Sequence, residues 1–458
     1  MAWSAGRALR AMGGVPLAGE LSGLVRLALP VMVSRAGLLI MTTVDTVMTG
    51  WASGEELAYL AIGLVPFVFL MLVGTGLLGG TVVLVAQARG AGEVGACGRI
   101  WHLALLDALL VGFLMAALLC RVEPFLTAVG QEVAIAHGGA RVAAMFGLGM
   151  PAMLGYLATC LFLEGLGRPM PGVVVIAMGN VLNATLGWLL IYGSGAPLPA
   201  GAAGAAVATT IARWAMLVLL VGYVLLAPEL RRFGVARWPR LRWPLQAKLL
   251  RLGLPFAVSQ GLETSAFQGL TLLCGWLGAT ALAAYQIAIN VTALVFMATV
   301  GLSTATAVRV GAGIGAGNPE RARMAGWLGV AVTFAVMLAL APLIALGAHA
   351  TAAIYTSDSA VQALATQALG LVALVVVVDG LQGVLTGALR GAADVWLPMA
   401  IHVGSFWLVL IPTAWLLAFP LRHGVPGLLG GILAGVLTAS LLLSLRLTRL
   451  PDAKLTRF

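Results

Sequence analysis

The stretch Leu24-Val25-Arg26-Leu27-Ala28-Leu29-Pro30, followed by Val33-Ser34, returns later in the chain as Leu249-Leu250-Arg251-Leu252-Gly253-Leu254-Pro255, followed by Val258-Ser259. Carried on without a gap, the same offset sets Gly50-Trp51 against Gly275-Trp276 and Gly90-Ala91-Gly92 against Gly315-Ala316-Gly317. About 21 of 69 aligned positions between Leu24 and Gly92 are identical, where chance at this composition gives roughly one in ten. The chain therefore reads as two copies of one unit. The break between them is a basic segment, 228–251, carrying Arg231, Arg232, Arg237, Arg240, Arg242, Lys248 and Arg251 with Pro239 and Pro244. This predicts an N-terminal lobe over 1–227, a linker over 228–251 and a C-terminal lobe over 252–458.

Each copy is overwhelmingly apolar. Of 458 residues, 61% are hydrophobic and 9% charged, against about 25% charged in a soluble domain. So little charge excludes a soluble enzyme, a disordered chain and a coiled coil. Apolar runs fall at 27–49, 57–86, 100–120, 136–163, 170–192, 201–227, 252–276, 281–308, 326–347, 360–388, 395–419 and 424–447. Each is long enough to cross a bilayer as a helix. The runs do not alternate apolar with polar residues, which excludes a membrane barrel. The expected fold is an all-α polytopic membrane protein of twelve transmembrane helices in two pseudo-symmetric six-helix bundles. An even number of spans per copy keeps both copies in one orientation, an arrangement found in transporters that rock two bundles.

The net charge of +10 reads as an orientation signal rather than a nucleic-acid surface. Arg89, Arg99, Arg168, Arg309, Arg321, Arg323, Arg390, Arg446 and Arg449 fall on the linker's side, while Arg121 and Arg422 fall in outer loops. The positive-inside rule then places both termini in the cytoplasm. Arg7 and Arg10 precede no apolar core with a cleavage site, so no cleaved signal peptide is expected. Cys97, Cys120, Cys160 and Cys274 have no metal or redox spacing. Pro30 and Pro255 are expected in the first turns of spans 1 and 7, and Pro66, Pro151, Pro342 and Pro412 inside spans as kinks. Lys248 and Lys454 follow Ala247 and Ala453, so there is no P-loop. Without ATP, the energy source within the chain is an ion gradient. The sequence shows no nucleophile–base pair, no His-Glu-x-x-His and no metal cluster. This argues against an enzyme, and nothing supports a channel.

Charge inside the spans is where function is sought, because a carboxylate at the bilayer centre costs at least about 2.5 kcal/mol. Asp45, Asp107, Glu263 and Asp379 lie within spans. At about 1.5 Å per residue, Glu263 and Asp379 both lie roughly 16 Å from the linker-side face, and Asp45 roughly 27 Å. Two carboxylates at one depth either share a proton or ligate a small cation with hard oxygens. The alternative is a structural acid paired with an in-span arginine such as Arg35 or Arg213; Arg141 also lies within a span. Asn180, Asn183 and Thr185 cluster in span 5, Gln260, Gln268, Gln286 and Asn290 lie in spans 7 and 8, and Gln382 follows Asp379 on one face. Phe256, Phe267, Tyr285, Phe296 and Trp407 are candidate walls of a cavity for flat ligands. No role is assigned to His102 or His402.

Val44-Asp45-Thr46 with Gly50, the run Leu385-Thr386-Gly387-Ala388-Leu389-Arg390-Gly391 with Asp394, and Tyr285-Gln286-Ile287-Ala288-Ile289-Asn290 with Arg309-Val310-Gly311 together resemble the multidrug and toxic compound extrusion (MATE) family, in its NorM-like branch. The resemblance covers nearly the whole chain. It implies a multidrug efflux antiporter of the bacterial cytoplasmic membrane, acting as a monomer without cofactor, that exchanges Na⁺ or H⁺ for organic cations by alternating access. It implies that Glu263 and Asp379 form the cation site, holding Na⁺ where the ion is a metal, and that Asp45 binds or relays a cation. Asn183, Asn180, Gln286, Asn290, Gln260, Tyr285, Phe267 and Gln382 would line the substrate cavity. Two positions depart from the family pattern. Gly187 stands where an amide or acid is common, and Val375 where some members carry tyrosine. The alternative within this class is a flippase for lipid-linked precursors, whose basic cavity does not match the acids of the C-terminal half.

Overall fold

The computed structural model describes residues 17–192, 201–236 and 243–449. Arg7, Arg10, Arg237, Pro239, Arg240, Arg242 and Lys454 lie outside the described residues. The helices are α1 (Leu17–Ala52), α2 (Gly54–Leu78), α3 (Gly80–Gly90), α4 (Val94–Leu119), α5 (Glu123–Ala128), α6 (Val133–Leu148), α7 (Met150–Gly165), α8 (Met170–Tyr192) and α9 (Gly201–Leu226). A 3₁₀ turn, Pro228–Phe233, leads to α10 (Trp243–Gly275), α11 (Ala279–Gly315), α12 (Pro319–Leu346), α13 (Ala348–Tyr355) and α14 (Ser359–Gly391). Then come α15 (Trp396–Gly404), a π-helical segment Ser405–Leu410, α16 (Ile411–Ala418) and α17 (Gly424–Thr448).

Every predicted apolar run falls in this helical set. Ten segments are long and apolar enough to cross a membrane, or 11 with α6 and α7 joined across their 43° bend. The remaining span is α10, whose apolar character is diluted by Gln260, Glu263 and Gln268. Helix starts follow local chemistry. Asn318 Oδ1 accepts from the Arg321 amide at 2.9 Å, and Asp358 Oδ1 from the Ala360 amide at 2.8 Å. Such side chains satisfy amides that the first turn leaves open.

Pro30 and Pro255 are not in first turns. They lie inside α1 and α10. Both helices begin with an amphipathic extension, holding Glu20 and Arg26 in one and Gln246, Lys248 and Arg251 in the other. Hydropathy does not register that extension, although it is helical. Pro412 opens α16 directly after the π-helical segment. With no N–H to offer, it cannot continue the preceding ladder, and the turn before it widens. Pro151 sits at the bend between α6 and α7.

The described chain forms two compact units. One comprises Val33–Ala257, the other Met1–Met32 with Val258–Phe458. In the first, α7 is central, with all of its residues buried. In the second, α14 takes the corresponding place, packed against α11, α12 and α17. Gly383, Gly387 and Gly391 recur every fourth residue along α14, and a Cβ on them would strike Thr299, Ser303 and Ala307 of α11 in turn. This small-residue stripe lets two backbones meet closely, as membrane helices require when lipid gives no hydrophobic drive to association. Gly387 and Gly391 of this stripe belong to the run Leu385–Gly391 quoted from the sequence.

Repeated motifs end helices in the same way. Gly92 (φ 76) and Gly317 (φ 68) close α3 and α11 in the left-handed region. Behind them, Glu93 N donates to Ala88 O at 2.9 Å and Asn318 N to Gly313 O at 3.0 Å. Gly167 (φ 72) ends α7 alike, but α14 ends on Ala393 at φ 56. A Cβ in that region costs about 1–2 kcal/mol. We expect Ala393→Gly to stabilise the purified protein by about 0.5–1 kcal/mol after the added chain entropy, read as a rise in melting temperature in detergent. Gly387→Leu should do the opposite, lowering it by the several degrees that about 2 kcal/mol of overpacking implies.

Candidate functional site

In the unit Val33–Ala257, polar side chains from two helices, α8 and α9, converge on Asp45 of α1. Asp45 is 2% exposed. Asn183 Nδ2 of α8 donates to its Oδ1 at 3.1 Å, and the Thr209 hydroxyl of α9 donates to its Oδ2. Asn183 Nδ2 also reaches Thr209 Oγ1 at 2.8 Å. One turn beyond Thr209 is Arg213, buried, whose guanidinium lies 4.6 Å from the centroid of Phe67 and 5.4 Å from that of Phe146. Its charge acts on Asp45 without direct contact. The ring faces supply the negative potential that a buried cation needs. Gly187, one turn past Asn183, faces Met48.

Other polar side chains of this unit have structural partners. Asn180 Nδ2 donates to Gly37 O at 3.0 Å and Ile176 O at 2.9 Å, at the close crossing of α1 and α8. Asp107 accepts from Gln246 Nε2. Arg35 pairs with Glu164 at 3.0 Å. Glu164 escaped the sequence reading because it stands just past the end of the apolar run 136–163, while α7 runs on to Gly165. Thr209 also escaped. Its signal was the one-turn spacing from Arg213, an arginine that had to be held by something.

In the other unit, Glu263 of α10 and Asp379 of α14 act on each other electrostatically. Neither has a hydrogen-bond or ion-pair partner among the described residues. That sets them apart from the other buried acids of the unit, Glu20 and Asp394. Glu20 is paired with both Arg309 and Arg321. Asp394, the acid that follows the Gly-rich run, holds Arg446 at 2.6 Å, and Arg390 donates to Ser303 Oγ at 3.3 Å. Gln260, Glu263 and Phe267 share one face of α10. Gln286 and Asn290 share an exposed face of α11, where Tyr355 donates to Asn290 Oδ1 at 2.7 Å. Tyr285 has no exposed surface and packs in the apolar core with Leu270, Val372 and Phe406, so it is not on a cavity wall in this structure. The buried Gln382 contacts His402.

No group of three or more metal-ligating side chains occurs among the described residues. A cation at Glu263 and Asp379 would therefore have two carboxylates, completed by amide, backbone or water oxygens, a hard-oxygen set suited to Na⁺ or to a shared proton.

The family model described as MatE matches residues 30–189 and 255–416, one match in each copy of the repeat. The chain is 36% identical over 432 residues to a probable multidrug resistance protein NorM of Caulobacter vibrioides, covering 94% of this chain and 92% of that protein. It is 34% identical over 445 residues to the multidrug resistance protein PmpM of Pseudomonas aeruginosa, covering 95% and 93%. The crystal structure of the eukaryotic MATE transporter AtDTX14 superposes with a TM-score of 0.87 at 22% identity, over 95% of this chain and 97% of that one, a likeness of fold.

The buried Arg35–Glu164 pair yields a direct test. Glu164→Leu strands an arginine among apolar groups and should destabilise by about 3 kcal/mol or more. The double variant Arg35→Met with Glu164→Leu should recover most of that loss, because both charges are gone. Thermal unfolding of the wild type, both single variants and the double variant measures the coupling.

Proposed function

The chain belongs to the multidrug and toxic compound extrusion (MATE) family, and we propose that it couples export of organic cations to the inward movement of Na⁺ or H⁺. It is a multidrug efflux transporter, as its relatives' names describe them. Those names do not favour the lipid-precursor flippase. The observation that carries the coupling reading is the Glu263–Asp379 pair. Every other acid named above within the spans has a hydrogen-bonding or ionic partner, and these two have none among the described residues. An unmet charge requirement deep in a span is what a coupling ion would satisfy.

In this reading the two repeats, 1–227 and 252–458, alternate in access, with 228–251 as the cytoplasmic linker and both termini cytoplasmic. Ion and drug favour states of different facing, which is what lets one gradient drive the other. Asp45, held by Asn183 and Thr209, binds or relays a cation in the N-terminal lobe. Gln260, Phe267, Gln286 and Asn290 present amide and aromatic groups for an organic cation in the C-terminal lobe, where Gln382 bonds to His402, and Asn180 and Asn183 supply amides in the N-terminal lobe. The charge of the drug is met by the same carboxylates that hold the ion, so the two compete.

Efflux of ethidium from proteoliposomes, with Na⁺ and pH gradients imposed separately, tests this. The wild type should accumulate ethidium against its gradient under at least one of them. Glu263→Gln and Asp379→Asn should fall to the level of protein-free liposomes while folding and inserting normally. Full transport in both variants sinks the coupling assignment, and a wild type that neither gradient drives sinks the antiporter.

A further inference from the structure

His402, on α15, is 6% exposed. It is surrounded by three polar side chains from two other helices. Ser259 Oγ of α10 lies 3.3 Å from its Nδ1. From α14, Thr386 Oγ1 lies 3.0 Å and the Gln382 amide 3.2 Å from its Nε2. Its ring stacks on Phe406 at 5.9 Å and 18°, at the start of the π-helical segment. Segments of that kind recur at functional sites. The partners matter for their places in sequence. Ser259 is one turn before Glu263 on α10, and Gln382 is one turn after Asp379 on α14. His402 therefore lies on the linker side of the acid pair, about one helical turn away, roughly 5–6 Å between neighbouring Cβ atoms.

We propose that His402 is a proton carrier for the Glu263–Asp379 pair, passing protons between it and the linker-side face. This rests on the reading of that pair as the coupling site. All three partners can serve either protonation state of the imidazole. Thr386 Oγ1 donates its proton to Gln382 O at 2.9 Å, which leaves its oxygen to accept from Nε2–H. Gln382 Oε1 is buried and unpartnered as the amide is placed, and turning the amide over brings that oxygen to Nε2–H. Nδ1 then accepts from the Ser259 hydroxyl. When a proton arrives, that hydroxyl need only rotate to accept from Nδ1–H. In the transfer, a carboxylic acid O–H of the pair breaks and an N–H bond forms at Nδ1, giving carboxylate and imidazolium. Water from the linker-side face then takes the Nε2 proton, leaving the neutral Nδ1–H tautomer. Exchange of the ring protons with that water restores Nε2–H for the next transfer, one proton in and one out.

The charged groups around the ring favour this use. On α10 and α14 the nearest are Glu263 and Asp379 themselves. Arg390, one turn past Thr386, is turned to Ser303, and Arg446 of α17, the helix packed on α15, is held by Asp394. No named charge is bonded to the imidazole, so its state is open to set by the proton it carries.

The full-length protein in proteoliposomes, with a trapped pH dye and ethidium as substrate, tests the proposal. The wild type should couple proton influx to ethidium export, with a pH-dependent rate. His402→Gln should keep downhill ethidium exchange, lose at least tenfold in proton-driven export and flatten the pH profile. Thr386→Val, which removes only the Nε2 partner, should give an intermediate loss and covers the case of a misfolded His402 variant. Wild-type proton coupling and pH profile in His402→Gln, or in Thr386→Val where the first does not fold, overturn the carrier and leave the antiporter standing. A wild type driven by Na⁺ alone, with no proton flux, also overturns the carrier. A wild type driven by neither ion overturns the antiporter itself, and the carrier with it.

Discussion

Charge in hydrocarbon must be paid for locally, and most of this molecule's polar architecture answers that constraint. An ion in a bilayer has no water to turn to, so it needs a partner fixed by the fold. Arg35 has Glu164, Glu20 has Arg309 and Arg321, and Asp394 has Arg446. Asp107 has the Gln246 amide, and Asp45 has Asn183 and Thr209. Arg213 rests on two aromatic faces. With these accounted for, Glu263 and Asp379 stand out because nothing comparable meets them. They gain meaning by contrast with the pairs around them, more than by their own rarity.

Holding such groups in place takes close helix packing, and the glycines provide it. Gly383, Gly387 and Gly391 seat α14 on α11, which fixes the face of α14 that carries Asp379 and Gln382. The same run continues into the Ala393 turn and the Asp394–Arg446 lock. One short motif thus sets a helix crossing, ends the helix and pins the next element. Its role is mechanical support for the two acids above it. The polar set around His402 depends on the same crossing, since two of its three members ride on α14.

The comparison of halves shows where duplication was kept and where it was abandoned. Gly92 and Gly317 end equivalent helices with matching hydrogen bonds. The central helices, α7 and α14, occupy equivalent places in their units. Yet the polar chemistry diverged. One half holds its acid in a closed network of amide and hydroxyl, and the other leaves two acids open. The shared scaffold answers to packing, which the repeat conserves residue by residue. The sites answer to a few polar positions, which can change without disturbing that packing.

Composition and spacing alone determined the membrane class, the twelve spans, the duplication and the four acids within the spans. These follow from the length of apolar runs and from the local periodicity of helices, both of which are written along the chain. The first-turn placement expected for Pro30 and Pro255 failed because an amphipathic helical extension carries no hydropathy signal. Partner choice was beyond the sequence altogether. Arg213 could have faced Glu164 as well as Asp45, Tyr285 could have lined a cavity instead of the core, and His402 gave no sign of its three polar neighbours. Those outcomes depend on the rotation and crossing of helices far apart in sequence. Only tertiary packing decides which side chains of distant helices come within hydrogen-bond reach.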